Sequence, residues 1–130
     1  KKGARRMAWT LQSDRPIYAQ LVERLKTEIV SGVYPPGGRL PSVRELAATA
    51  SVNPNTMQKA FAELERTGLI ITMRTSGRVV TEDTAMINET RRELAEEQIS
   101  QFLTQMNNLG FDRAEIIAMR SEHKGGDSHE

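Results

Sequence analysis

Asn55, Gln58 and Lys59 fall at i, i+3 and i+4, the spacing that puts side chains on one face of a helix. Asn and Gln amides carry a donor beside an acceptor, which matches an adenine edge, and Lys reaches guanine or phosphate. Ala62 continues that face, and no acidic residue interrupts it before Glu63. The chemistry on offer is non-covalent recognition of a nucleic-acid edge. Reaction chemistry has little to stand on. The 130 residues include no cysteine, no Gly-rich phosphate loop and no nucleophile elbow, and both histidines lie near the C-terminus. His123, Asp127, His129 and Glu130 form the one grouping of metal-ligand types, beside Gly125-Gly126, with no surrounding residues to orient them. No enzyme activity, cofactor or metal site is expected.

These groups need a helix to hold them, and its apolar side is Met57, Ala60, Phe61 and Leu64, at i, i+3, i+4 and i+7. Asn53 is an N-cap type and Pro54 suits the first helical position. Thr67-Gly68 supplies the stop. Upstream, Ser42 and Glu45 have the capping-box spacing and open a helix with Val43, Leu46, Ala47 and Ala50 inward and Arg44, Glu45 and Ala48 outward. Ala50-Ser51-Val52 is a tight turn, so the pair reads as a helix-turn-helix. An earlier helix carries Ile17, Leu21, Val22, Leu25, Ile29 and Val30 at helical spacing. Pro16 opens it with Asp14 as its cap, and Ser31-Gly32 closes it before the turn at Pro35-Pro36-Gly37-Gly38. Two β-rich runs, 69–73 and 78–81, flank Arg74-Thr75-Ser76-Gly77, a turn signal with Gly placed for positive φ. Helix, turn, helix and hairpin is the order of a winged helix. A hairpin tip bearing Arg74, Thr75, Ser76 and Arg78, with no acid, suits a minor groove or adjacent phosphates.

Charge is sorted along the chain. Residues 1–82 hold 13 Lys and Arg against 7 Asp and Glu, a net +6, whereas residues 83–130 hold 5 against 10, a net −5. Only the first part is expected to meet a polyanion. Four of its cations, Lys1, Lys2, Arg5 and Arg6, precede Met7; if Met7 is the natural start, residues 1–6 are a vector-derived remnant and the net charge of the rest falls to +2. No apolar run approaches membrane-spanning length and no signal peptide is recognised. A soluble, cytoplasmic protein is expected.

The fold class is therefore mainly α with a small β-hairpin: a winged helix-turn-helix domain over 8–82, a two-helix segment over 83–122 and a disordered tail over 123–130. The segment opens at Asp83 or Thr84 with a helix reaching Asn108, stopped at Gly110. Ala95, Ile99, Phe102, Met106 and Leu109 alternate spacings of four and three along it, a heptad-like seam. Asp112 and Glu115 form a second capping box before Ile116, Ile117 and Met119, expected inward. Two such helices cannot enclose a core, so the seam needs either the winged domain or a second copy of the segment.

Gly32-Val33-Tyr34-Pro35-Pro36-Gly37, Leu40-Pro41-Ser42-Val43-Arg44-Glu45-Leu46-Ala47, Val52-Asn53-Pro54-Asn55-Thr56 and Leu64-Glu65-Arg66-Thr67-Gly68-Leu69 together resemble the GntR family of bacterial transcription regulators. The Asn-Pro-Asn-Thr version and the short tail resemble its YtrA-type branch. The wing departs from the family's pattern, with one glycine, Gly77, where two are common around the tip. The resemblance implies base or phosphate contact by Arg44, phosphate contact by Ser42 and Asn53, base reading by Asn55, Thr56, Gln58 and Lys59, and DNA proximity for Arg39 and Gly77. It also points to the second copy as the partner of the seam. The expected function is a sequence-specific transcription regulator, a repressor more than an activator. It would bind an inverted-repeat operator in double-stranded DNA as a homodimer and control transporter genes. A small-molecule effector is compatible with the family but unidentified. The alternative is a winged helix serving as a protein-interaction module, which would favour acidic or apolar groups where Asn55, Gln58 and Lys59 stand.

Overall fold

The computed structural model describes residues 9–123. The first helix, α1, spans Ile17–Val30. It buries Leu21, Leu25 and Ile29 at every fourth position, with Ile17, Val22 and Val30 packed beside them. Its N-cap is Pro16, extended at φ −56° and ψ 130°, with no side-chain cap. Asp14, the expected cap, stands two residues too early to reach the first-turn amides. Buried Gln20 organises the entry instead. Its Nε2 donates to the carbonyls of Gln12 (2.7 Å) and Arg15 (3.0 Å), and its Oε1 accepts from the Gln12 N–H at 2.7 Å. The lead-in is thereby held against α1, with Trp9 buried and the Arg24 guanidinium 4.7 Å from its ring centroid.

Helices α2 (Val43–Ala50) and α3 (Pro54–Thr67) form the helix-turn-helix. Ser51 between them is left-handed at φ 58°, and the Val52 N–H closes back on the Ala47 carbonyl at 3.0 Å. Both expected caps are present. Strands β1 (Ile70–Met73) and β2 (Gly77–Val80) pair antiparallel from Ile70↔Val80 to Met73↔Gly77. Residues 37–40 continue this sheet, which the sequence reading treats only as a turn and a lead-in. Gly37 N–H donates to the Val80 carbonyl, Val80 N–H to that of Gly38 and Leu40 N–H to that of Arg78, each at 2.9 Å. Arg39 bridges to Val79 within this edge.

Leu21, Leu25, Leu46, Met57, Phe61, Leu64, Leu69 and Val80 are almost wholly removed from solvent and fuse α1, α2, α3 and the hairpin. Each such side chain contributes about 1.5–3 kcal/mol. Helix α4 (Thr84–Asn108) adds Ile87 to this core. The first compact unit accordingly runs on to Arg92, and the second begins at Glu93.

In the second unit, Gly110 (φ +98°) ends α4, and the Phe111 N–H returns to the Met106 carbonyl at 3.0 Å. Helix α5 (Arg113–Glu122) opens on the reciprocal Asp112–Glu115 box, both bonds at 2.8 Å. No side chain among its described residues is fully buried. Ile116 is half-buried, but Ile117 and Met119, expected inward, are exposed, because a ten-residue helix in a segment without its own core has little to pack against within a single chain. The expected N-terminal remnant and all of the expected tail except His123, which is exposed, lie outside the described residues.

Candidate nucleic-acid interface

Helix α3 sorts its side chains as its periodicity requires. Met57, Ala60, Phe61 and Leu64 show no exposed surface, whereas Asn55, Gln58, Lys59 and Ala62 all face solvent. Asn53 caps the helix through Oδ1, which accepts from the Asn55 N–H at 2.7 Å and leaves the exposed amide nitrogen able to donate. Thr56 is less presented than its neighbours. It is half-buried and lines a groove with Trp9, Ile17 and Val52.

Five residues expected at DNA that are scattered in the sequence come together. Arg39, Ser42, Arg44, Gly77 and Arg78 line one open notch of about 930 Å³ between the start of α2 and the wing. Arg39 and Arg44 are exposed and form no ion pair among the described residues. The one acid in the notch, Glu45, is occupied, its Oε1 accepting from the Ser42 N–H at 2.9 Å. Ser42 Oγ accepts from the Glu45 N–H at 3.0 Å, which leaves its hydroxyl proton to donate. Gly77 has φ +77°, so a side chain there would add backbone strain, although a Cβ would meet Arg39 Nε only at an ordinary contact distance of 4.0 Å. Two guanidinium groups, a hydroxyl donor and the positive end of α2 suit phosphate oxygens.

The wing tip presents Arg74 and Thr75 to solvent and Ser76 partly so. Arg78 departs from the expectation of a tip contact. It belongs to β2, its Nε donates to Glu65 Oε2 on α3 at 3.1 Å, and its guanidinium lies 5.2 Å from the Phe61 ring centroid. The reason is register. Arg78 faces Thr72 across the hairpin, on the side turned toward α3, and the Thr72 hydroxyl donates to the same Glu65 oxygen. Hydrogen bonding from Thr72 lowers the Glu65 pKa, burial opposes it, and Arg78 lowers it further. Glu65 and Thr72 carry no assignment in the sequence reading. Glu65 lies within the Leu64-Glu65-Arg66-Thr67-Gly68 motif, but its partner 13 residues on is invisible until the hairpin register is known.

Residues 17–80 match the family described as bacterial regulatory proteins, gntR family. The HTH-type transcriptional repressor YtrA of Bacillus subtilis is 35% identical over 120 residues, which span 88% of this chain and 92% of that protein. The chain belongs to the GntR family. A second B. subtilis member, the uncharacterized HTH-type transcriptional regulator YhcF, is 37% identical over 106 residues, 82% of this chain and 88% of that one. The solved structure of a GntR family transcriptional regulator from Listeria monocytogenes aligns with TM-score 0.77 at 40% identity, covering 88% of this chain and 100% of that chain. GntR membership makes the protein a DNA-binding transcription regulator and not an enzyme. It also agrees with the winged helix built by α1, α2, α3 and the hairpin. Similarity to YtrA over nearly the full length of both chains fits the short branch that the motifs indicate.

Proposed function

We propose that this GntR-family chain is a sequence-specific repressor that binds an inverted-repeat operator as a homodimer in the cytoplasm. The observation that carries DNA reading is the sorting of α3, whose fully buried stripe turns Asn55, Gln58 and Lys59 outward. In this reading Asn55 and Gln58 meet base edges and Thr56 contributes at the rim. Lys59, Ser42, Asn53, Arg39 and Arg44 hold phosphate, and Arg74 and Ser76 reach the backbone or minor groove beside the wing, with Gly77 shaping its tip. Homodimerisation through Ala95, Ile99, Phe102, Met106 and Leu109 is supported by the apolar groups the second unit leaves uncovered. Repression is supported by the similarity to a protein named as a repressor, and control of transporter genes by the YtrA-type resemblance. No helix of the described residues is long and apolar enough to cross a membrane.

Binding-site selection with the purified chain and random duplex DNA tests this reading. The expected return is an inverted repeat with half-site centres one helical turn, or a multiple, apart. The expected affinity falls linearly with salt on logarithmic axes. A chain that enriches no sequence and shows no salt-dependent binding to any duplex is not a DNA reader, and the protein-interaction alternative replaces this one.

A further inference from the structure

The hairpin joins α3 through a chain that turns at Gly68, and its tip projects Arg74 and Ser76 away from the core. A projecting two-stranded ribbon is marginal by itself, so something must set its angle to the helix it serves. Three groups converge where that angle is decided. Thr72 and Arg78 are cross-strand partners, one on each strand, and both donate to Oε2 of Glu65, 3.1 Å away in the case of Arg78. Arg78 also lies against Phe61, one turn earlier on α3 and fully buried. One carboxylate therefore ties both strands to the helix that carries Gln58 and Lys59. The side chains of Glu65 and Arg78 are 28% and 27% exposed, so the pair is shielded enough to be directional.

We infer that Glu65 is a positioning residue for DNA binding. By holding Thr72 and Arg78 it sets the wing against the recognition helix, so that Arg74 at the tip and the major-groove face engage one duplex together. Glu65 touches no DNA; a carboxylate facing phosphate would repel it. Its effect on affinity passes wholly through the wing, and this inference rests on the proposed DNA reading.

A double-mutant cycle between Glu65→Ala and Arg74→Ala tests it, using the duplex that the full chain selects and fluorescence anisotropy across a salt series. Arg74→Ala alone is expected to weaken binding about tenfold and reduce the salt slope by about one. Glu65→Ala is expected to do much the same, although it removes no cation. The double variant is expected to bind no more weakly than Arg74→Ala, because the second change acts on a contact already lost. The selected consensus at the positions read by Gln58 stays as in the unmodified chain. Glu65→Gln retains an acceptor and should recover part of the loss. Thr72→Val preserves side-chain shape at an exposed strand position outside the core; it should weaken binding in the same direction by a smaller factor. Losses that multiply in the double variant, or a Glu65→Ala chain that binds like the unmodified one, overturn the inference while leaving DNA reading intact. Failure of the unmodified chain to bind any duplex overturns both.

Discussion

Ser42 and Glu45 hold each other's backbone at the start of α2, with Oγ accepting from the Glu45 N–H at 3.0 Å and Oε1 accepting from the Ser42 N–H at 2.9 Å. The exchange satisfies two donors that the helix geometry leaves without partners. It also directs one Glu45 carboxylate oxygen onto the Ser42 backbone. Ser42→Ala should destabilise the domain by about 1 kcal/mol and weaken operator binding as well. Ser42→Asp separates the two roles. It restores the cap, so denaturation should return close to the unmodified stability, but a carboxylate at the phosphate site should leave binding weaker still. Equal binding by Ser42→Asp and the unmodified chain would remove Ser42 from the interface.

Arg44 is exposed on α2 and free of ion pairs among the described residues, so its truncation opens no cavity and strands no buried charge. Arg44→Ala should weaken operator binding by about 1–3 kcal/mol with little change in the thermal midpoint. A variant that binds as tightly at matched salt would show that this arginine is solvated in the complex.

What the sequence makes legible follows the range of each interaction. The stripe Met57, Ala60, Phe61 and Leu64 and both capping boxes depend on residues three or four apart, and all appear as expected. Asp14 is misplaced because Asp before Pro resembles a cap, while the helix begins one residue after Pro16 and Gln20 orders the entry. Long-range pairings leave no local trace. The edge formed by residues 37–40 meets β2 some forty residues later, and Arg78 turns from the tip to Glu65 only because of hairpin register. Arg39, Ser42, Arg44 and Gly77 are nominated singly by motif resemblance; their sharing of one notch emerges only in three dimensions.

Gln58 and Lys59 are adjacent and equally outward, yet their chemistries predict different failures. Gln58→Ala should relax base preference at one position of each half-site, costing about 1–3 kcal/mol on the preferred sequence alone. Lys59→Ala should weaken preferred and random duplexes alike and lower the salt slope by about one. Site selection that returns one consensus for both variants, with equal affinity losses, would refute this division.

Acid should loosen the wing. Thr72, and after the opposing effect of burial Arg78, hold the Glu65 pKa below the ordinary glutamate value; Glu63 is lowered likewise by its bond to Arg66. A depressed folded-state pKa contributes stability that is complete above the unfolded value, about 4.3, and disappears as pH falls through the lowered one. Unfolding free energy should therefore drop on acidification below about pH 5. Glu65→Gln, which cannot titrate, should show a shallower drop with Thr72 and Arg78 unchanged opposite it. Parallel pH profiles for the two proteins would mean the Glu65 contacts contribute no linkage.

The second unit predicts its own partner. Ile99, Phe102 and Leu109 are 57%, 47% and 68% exposed, and with Ala95 and half-buried Met106 they follow a spacing of four and three that keeps them on one stripe. Ile117 and Met119 on α5 are also exposed, so within one chain these helices leave more apolar surface than they cover. A second copy offers the same stripe to itself, which is the condition for a two-fold interface. Each large side chain fully covered there would contribute about 1.5–3 kcal/mol. Two paired winged domains could then address the two halves of an inverted repeat. Replacing Phe102 and Met106 by Asp places two carboxylates in that interface and removes its largest side chain. The double variant should sediment as a monomer, keep the unfolding transition of the first unit, whose core uses neither residue, and bind an inverted repeat no better than a single half-site. Sedimentation of the unmodified chain as a monomer at tens of micromolar would show that the stripe has no second copy to meet, and that affinity must come from one reader alone.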